Sequence, residues 1–494
     1  MKHSLRGLFL VCVCLLCAAH PVFAHVGSKD VFEQVNAGPY KLFVIIRMPT
    51  VIPGVASIEV RSVGAPIDSL RITPLPLTGE ASKHPPTSDE MKRSSTDQAF
   101  YTGSLWLMAA GSWQVRFGIA GVMGNQTISV PVAAVAVSTL KMQRSIGAVL
   151  GILGLFLVLS MAGIVAASVR EARLEPGALP SPTRKRRAFI ATAASLLLMA
   201  AAIWFGNKWW NVEAASYSTN VFRPLRIDPV LSGNQLELIV HADGQANEHR
   251  ARSNNDFLLD HGHPMHLYAI RQPEMDAAFH LHPALASPGV FHISLPAMPP
   301  GDYNLYGDVV HANGFPETLI AKVTISSKMK GAPLGLEDAA AHPQPLSQGE
   351  LGTSFKLPDG YAMIWDRPAT VSVGTAYSFR FRLVDAWGQP AKDMQPYLGM
   401  AGHAAFVKID STVFAHTHPE GSAAMPSLML ANGRANDGSN MTMSSDMKMD
   451  MENDPISSTV EFPYGFPSAG RYRIFVQMKH GSTVETGVFD TTVR

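Results

Sequence analysis

Two histidine pairs dominate the chemistry open to this chain. Phe279-His280-Leu281-His282-Pro283 and Ala415-His416-Thr417-His418-Pro419 each carry two imidazoles at the i, i+2 spacing that shares one face of a strand. Each pair follows a histidine that enters a strand, in Gly262-His263-Pro264-Met265-His266 and in Gly399-Met400-Ala401-Gly402-His403. Each is followed by a Gly-x-Tyr corner, Gly301-Asp302-Tyr303 or Gly470-Arg471-Tyr472, with His311 or His480 ten positions past the glycine. Imidazole sets of this kind suit divalent copper, zinc and nickel. A single His-x-His arises readily by chance in a chain with 18 His. Two at matching positions of an internal duplication are much harder to obtain that way. The expected sites are therefore His266, His280, His282 and His311 in the first copy, and His403, His416, His418 and His480 in the second. His241, His249, His261, His263, His292 and His342 have no counterpart across the copies, and most of them read as surface residues.

The second copy also carries a long insertion, residues 425–458, with Met441, Met443, Met447, Met449 and Met451 set among Asp446, Asp450 and small polar residues. Such a segment has no apolar face to bury and reads as an external loop. Its soft, neutral sulfurs suit monovalent copper. Imidazoles for one oxidation state and thioethers for the other favour copper over zinc.

Thiols point the same way by their absence. The only cysteines, Cys12, Cys14 and Cys17, fall inside an apolar run in residues 1–24, which begin with Lys2 and Arg6 and end in Val22-Phe23-Ala24. This reads as a secretory signal removed after Ala24. The remaining chain then has no cysteine, which excludes disulfides, thiolate zinc sites and type 1 copper. A new amino-terminal His25 could chelate copper through its amine and ring if another histidine completed the site.

The elements that must position these groups are mostly β. Residues 25–140 show short β-rich runs broken by Gly and Pro, and the same style fills 215–330 and 353–494, with a Gly/Ala/Pro/Gln linker near 328–352. The expected architecture is mainly β: three immunoglobulin- or cupredoxin-like sandwiches plus a two-helix transmembrane hairpin. The first region keeps a Gly111-Ser112-Trp113 corner but has Gly121 at the matching downstream position, a module without its metal-site histidines. Residues 146–168 and 188–206 are long and apolar enough to span a bilayer. The loop 169–187 between them holds Arg170, Arg173, Arg184, Lys185, Arg186 and Arg187 against Glu171 and Glu175. The positive-inside rule puts that loop in the cytoplasm, giving a two-pass bacterial inner-membrane protein with both flanks in the periplasm. Charge is otherwise balanced, 40 Lys+Arg against 39 Asp+Glu, which argues against a nucleic-acid partner.

The pattern from Gly399 to Pro419, with its weaker earlier copy, resembles YtkA-like and CopC-like periplasmic modules, which implies a β-sandwich placed near copper handling. The layout of exported β region, helix hairpin and further β regions is also similar to the B subunit of particulate methane monooxygenase. In that family the amino-terminal His and a His-x-His belong to the first domain, which here lacks the His-x-His. The expected function is a membrane-anchored periplasmic protein that buffers, delivers or senses copper, with the lipid bilayer, copper ions and a periplasmic or membrane metal-transfer protein as partners. Two alternatives come from other classes: a copper-dependent redox enzyme or oxygenase subunit, and a metal-free structural or interaction protein. No Ser-His-Asp order, phosphate loop or paired-carboxylate motif points to hydrolytic or nucleotide chemistry, so a non-enzymatic role is expected.

Overall fold

The computed structural model describes residues 25–26, 30–175, 177–242, 252–327, 329–433 and 456–494. These fall into two compact units, residues 135–222 and the remainder.

The smaller unit is helical. Arg144–Glu171 and Pro182–Ser218 have mean hydropathies of 2.6 and 2.1 over their most apolar windows, and both are long and apolar enough to cross a membrane. Their side chains are exposed nearly all round, Ala188 being the one buried residue. Such an all-round apolar surface suits lipid rather than water. The second helix starts earlier than expected, so Arg184, Lys185, Arg186 and Arg187 are helical rather than part of a loop. Ser181 causes this: its hydroxyl accepts from the Arg184 backbone N–H, and Pro182 occupies the first turn. The helix also runs on past Trp209 and Trp210 to Ser218.

The described residues of the larger unit form six sheets, antiparallel except where His25–Val26 runs parallel to Val413–Thr417. Three large apolar cores lie between paired sheets, the third also taking in Phe32 and Ile45 from the first β region. In the first, Ala56, Ile58 and Val60 alternate inward from Gly54–Ser62 to meet Leu70, Ile72 and Phe117. The second gathers Leu236, Leu238, Leu267, Phe279 and Leu305. The third is aromatic, with Trp365, Phe379, Phe381, Phe406, Phe462 and Phe489.

A fourth core decides the site. Tyr268, Ile270 and Tyr306 of the first copy, with Ala341 of the linker, pack against Ala405, Val407, Phe414 and Phe475 of the second, with Tyr306 stacked on Phe414 at 4.3 Å. The two copies therefore bury their outer sheet faces against each other. His266–Gln272 and His403–Lys408 show the consequence. Residues 266–270 and 403–407 are buried without interruption, where a half-exposed strand would alternate. Arg473 seals the seam. It pairs with Asp490 at 2.7 and 2.8 Å and donates to the carbonyls of Met275 and Gln344 across the seam, each at 3.0 Å.

Two expected loops are structured. In the linker, Ala339–Ala341 adds a strand beside Ala278–Leu281. The insertion begins with a short helix, Met425–Ala431, because Pro426 suits a first turn and Met425 and Met429 can bury one face against Met400. Met441, Met443, Met447, Met449 and Met451 lie outside the described residues.

Candidate metal centre

The strand period places the histidines. In the first copy His266 and Tyr268 share a face with His280 and His282, and that face carries the seam residues Tyr268 and Tyr306. In the second copy His403 and Ala405 share a face with His416, His418 and Phe475. Both sets thus point into the same seam, and the histidines expected to form two separate sites converge on one.

Two triads result, each with its ligand nitrogens within 4.8 Å of one another. One is His266, His280 and His282. The other is His261, His403 and His418, so the first copy supplies a ligand to the second copy's triad. His416 sits between the triads, its ring 4.8 Å from His418, 5.5 Å from His266 and 5.6 Å from His280. His263 stacks on His282 at 4.1 Å. Among the described residues, eight imidazoles share the seam.

Oxygen atoms around the cluster fix the rings. Asp338 Oδ1 lies 3.0 Å from His282 Nδ1, Glu337 Oε2 2.7 Å from His263 Nε2, and Asp308 Oδ2 3.2 Å from His416 Nδ1. Gln477 of the second copy accepts from His280 Nδ1 of the first at 2.8 Å, while Asp308 of the first holds His416 of the second. Each copy orients a ring of the other. Inward nitrogens are left over: His282 Nε2, His416 Nε2, His418 Nε2 and both nitrogens of His403 are buried without a hydrogen-bond partner. Buried polar atoms are rarely left so.

The pair His266 and His280 is sharper still. His266 Nε2 lies 3.0 Å from the Asp260 carbonyl oxygen, which can only accept, and His280 Nδ1 faces Gln477 Oε1 at 2.8 Å and the Tyr397 hydroxyl at 3.1 Å, whose own proton goes to the Glu337 carbonyl. In their neutral forms, then, His266 Nδ1 and His280 Nε2 both present lone pairs, 3.1 Å apart. Protonating one ring would bridge them, but burial, followed by the neighbouring imidazoles, holds both rings well below the usual imidazole range. Two nitrogens bound at ~2.0 Å to one tetrahedral ion stand about 3.3 Å apart. The separation fits two ligands of a single metal. His403 and His418 are likewise held well below the usual range by burial and then by neighbouring rings, and His261 and His282 are lowered by burial first.

His311 and His480 stand elsewhere. Along Gly301–His311, Tyr303 and Leu305 face the second core, so His311 has that parity rather than that of Tyr306. His480 shares the parity of Tyr472 and Ile474, which face the third core. His311 bonds Asp256 at 2.8 Å and Glu317 at 3.0 Å, and burial is outweighed by these carboxylates so that its pKa rises.

His261 and His263, read as surface residues from the sequence, belong to the cluster. They flank Gly262 in a two-residue turn closed by Asp260 and His263, with φ of 51° at His261 and 87° at Gly262. Tyr397-Leu398-Gly399-Met400 makes the matching turn, with φ of 53° and 76° at its centre. The turn is the shared feature; the histidines are not.

Residues without histidines contribute too. His418 and Gly421 exchange backbone bonds at 2.8 and 3.0 Å, and Ser422 N–H and Ala423 N–H bond Phe32 O and the buried Glu33 carboxylate. A Cβ on Gly421, whose φ is 153°, would strike Phe32 O and Glu33. The first β region thus buttresses the turn after His418.

Residues 355–494 match the model of a domain of unknown function, DUF8832. That span contains His403, His416 and His418 but none of the first copy's ligands. No curated protein matches the chain. Among solved structures, the chain is similar to an engineered protein, at 17% identity over 20% of this chain and 21% of that one, with a TM-score of 0.15. It is also similar to a tetra-tandem repeat from the extending region of a large adhesion protein (8% identity, 90% and 72% coverage, TM-score 0.16) and to native E. coli alpha-2-macroglobulin (10%, 95% and 23%, TM-score 0.19). The chain thus spans about a fifth of the engineered protein, and none of these scores supports an argument from shared structure.

Proposed function

We propose that this chain is a bacterial inner-membrane-anchored, periplasmic copper-binding protein whose centre takes up to two ions between the repeated β modules, and that it buffers, delivers or senses copper. The observation that carries the reading is the 3.1 Å approach of His266 Nδ1 and His280 Nε2 in a buried site, where the outer bonds of both rings leave lone pairs facing each other. Copper is favoured over zinc because the inner ligands are all imidazole, copper heads the divalent affinity order, and the chain adds a methionine-rich segment suited to the monovalent ion. The signal-like residues 1–24 and the basic residues between the two apolar helices support periplasmic placement.

Three imidazoles per triad leave a coordination position open, which favours a copper-dependent redox enzyme as the second reading. Metal analysis of the full chain in detergent tests both. About two coppers per chain are expected, falling to about one in His403→Ala/His418→Ala. No bound copper in folded, copper-loaded protein overturns the proposal. Oxygen consumption by the loaded protein with an electron donor selects the second reading.

A further inference from the structure

We propose that Asp359, His480 and Glu485 form a separate site for a hard divalent cation of the manganese class, independent of the copper reading. Their ligand atoms lie within 4.8 Å of one another, at the end of the third core away from the seam face. His480 is nine-tenths buried, and its two nitrogens play different parts. Nδ1 bonds Asp393 Oδ2 at 3.1 Å. Nε2 is buried and faces Asp359 Oδ2 at 2.9 Å as an ion-pair contact outside hydrogen-bond geometry. A ring held by a carboxylate on one nitrogen, with the other turned toward two more carboxylates, has the arrangement of a metal-bound imidazole. Tyr361 stacks on the ring at 4.2 Å and fixes its plane.

The first copy shows what the arrangement lacks. There His311 lies between Asp256 and Glu317, and Arg252 pairs with Glu317 at 2.5 Å. The arginine places a permanent positive charge beside these carboxylates. Glu485 opposes Met478 as Glu317 opposes Val309, each two residues before the strand-end histidine. The second copy thus keeps the histidine and the glutamate and gathers three carboxylates, Asp359, Asp393 and Glu485. Among the described residues, no lysine or arginine pairs with any of the three. A bound dication would supply the missing positive charge. One nitrogen with two or three carboxylates suits manganese better than an all-imidazole cluster does.

Manganese(II) titration of the full chain in detergent, followed by electron paramagnetic resonance of the free ion, tests this. One ion per chain is expected, with binding weakened about tenfold or more in Asp359→Asn/Glu485→Gln and unchanged in His403→Ala/His418→Ala. Electron spin echo measurements on the wild-type complex need no variant and should show coupling to one imidazole nitrogen. Absence of that coupling, binding that survives the carboxylate changes, or binding lost with His403 and His418 overturns the proposal.

Discussion

The two copies share a turn and differ in what it carries. Asp260-His261-Gly262-His263 and Tyr397-Leu398-Gly399-Met400 close with the same backbone bonds and the same pair of positive φ angles. The first copy thereby contributes five imidazoles to the seam, the second three and a buried methionine. Duplication supplied paired faces, and divergence at one turn made the cluster asymmetric. His261 matters most, since it crosses to His403 and His418 and makes that triad a joint product of both copies.

Breaking the seam should have the largest effect. Arg473→Met strands the buried Asp490 carboxylate and takes the donor from the carbonyls of Glu274, Met275 and Gln344 across the seam. Removing one partner of a buried pair costs about 3–5 kcal/mol, to be read from urea unfolding of the apoprotein together with loss of copper. A cost below ~1 kcal/mol would show that the copies dock without it. Acid should come next. His266, His280, His403 and His418 bind protons less readily folded than unfolded. Stability is therefore highest above the unfolded pKa of ~6.5 and falls as pH drops below it, by on the order of 1 kcal/mol per neutral ring at pH 5.5. Melting temperatures of the apoprotein between pH 7.5 and 5.5 should fall, less steeply in His266→Leu/His403→Leu. A flat profile contradicts the buried neutral rings.

Converting one turn toward the other sharpens the comparison further. His261→Leu installs the residue found at Leu398 and should release one copper per chain, leaving the ion at His266, His280 and His282 in place. Loss of both ions would mean that the triads act as one unit. Glu337→Gln should do least. Glu337 is half-exposed beside His263, and such a pair contributes about 0–1 kcal/mol, so copper affinity measured by chelator competition should fall less than tenfold. A larger drop would place His263 among the ligands.

Much of the scaffold was legible in the sequence because it follows short-range rules. Alternation marked the strands, two uncharged runs marked the helices, and i, i+2 spacing put His280 beside His282 and His416 beside His418. What escaped depended on long-range packing. Nothing local tells a strand that both its faces are buried, so the docking of Tyr306 on Phe414 was invisible, and with it the merging of two sites. His311 and His480 matched by repeat position but failed by parity, and their odd or even distance from the core residues Tyr303 and Tyr472 was the available signal. His261 and His263 have no counterpart across the copies, so repeat position does not mark them, although the ligands that differ between the copies are the ones that join them. The expected linker hid Glu337 and Asp338, whose partners lie far away in the chain.

His261 and His403 stand 142 positions apart in a chain whose three cysteines all lie within residues 1–24. An ion gripping both would close that loop as a disulfide does, an effect worth about 4–5 kcal/mol in the chain-entropy account. Unlike a disulfide, such a cross-link can be withdrawn by a chelator and restored by the ion, so the rigidity of the paired modules would track the copper available around them.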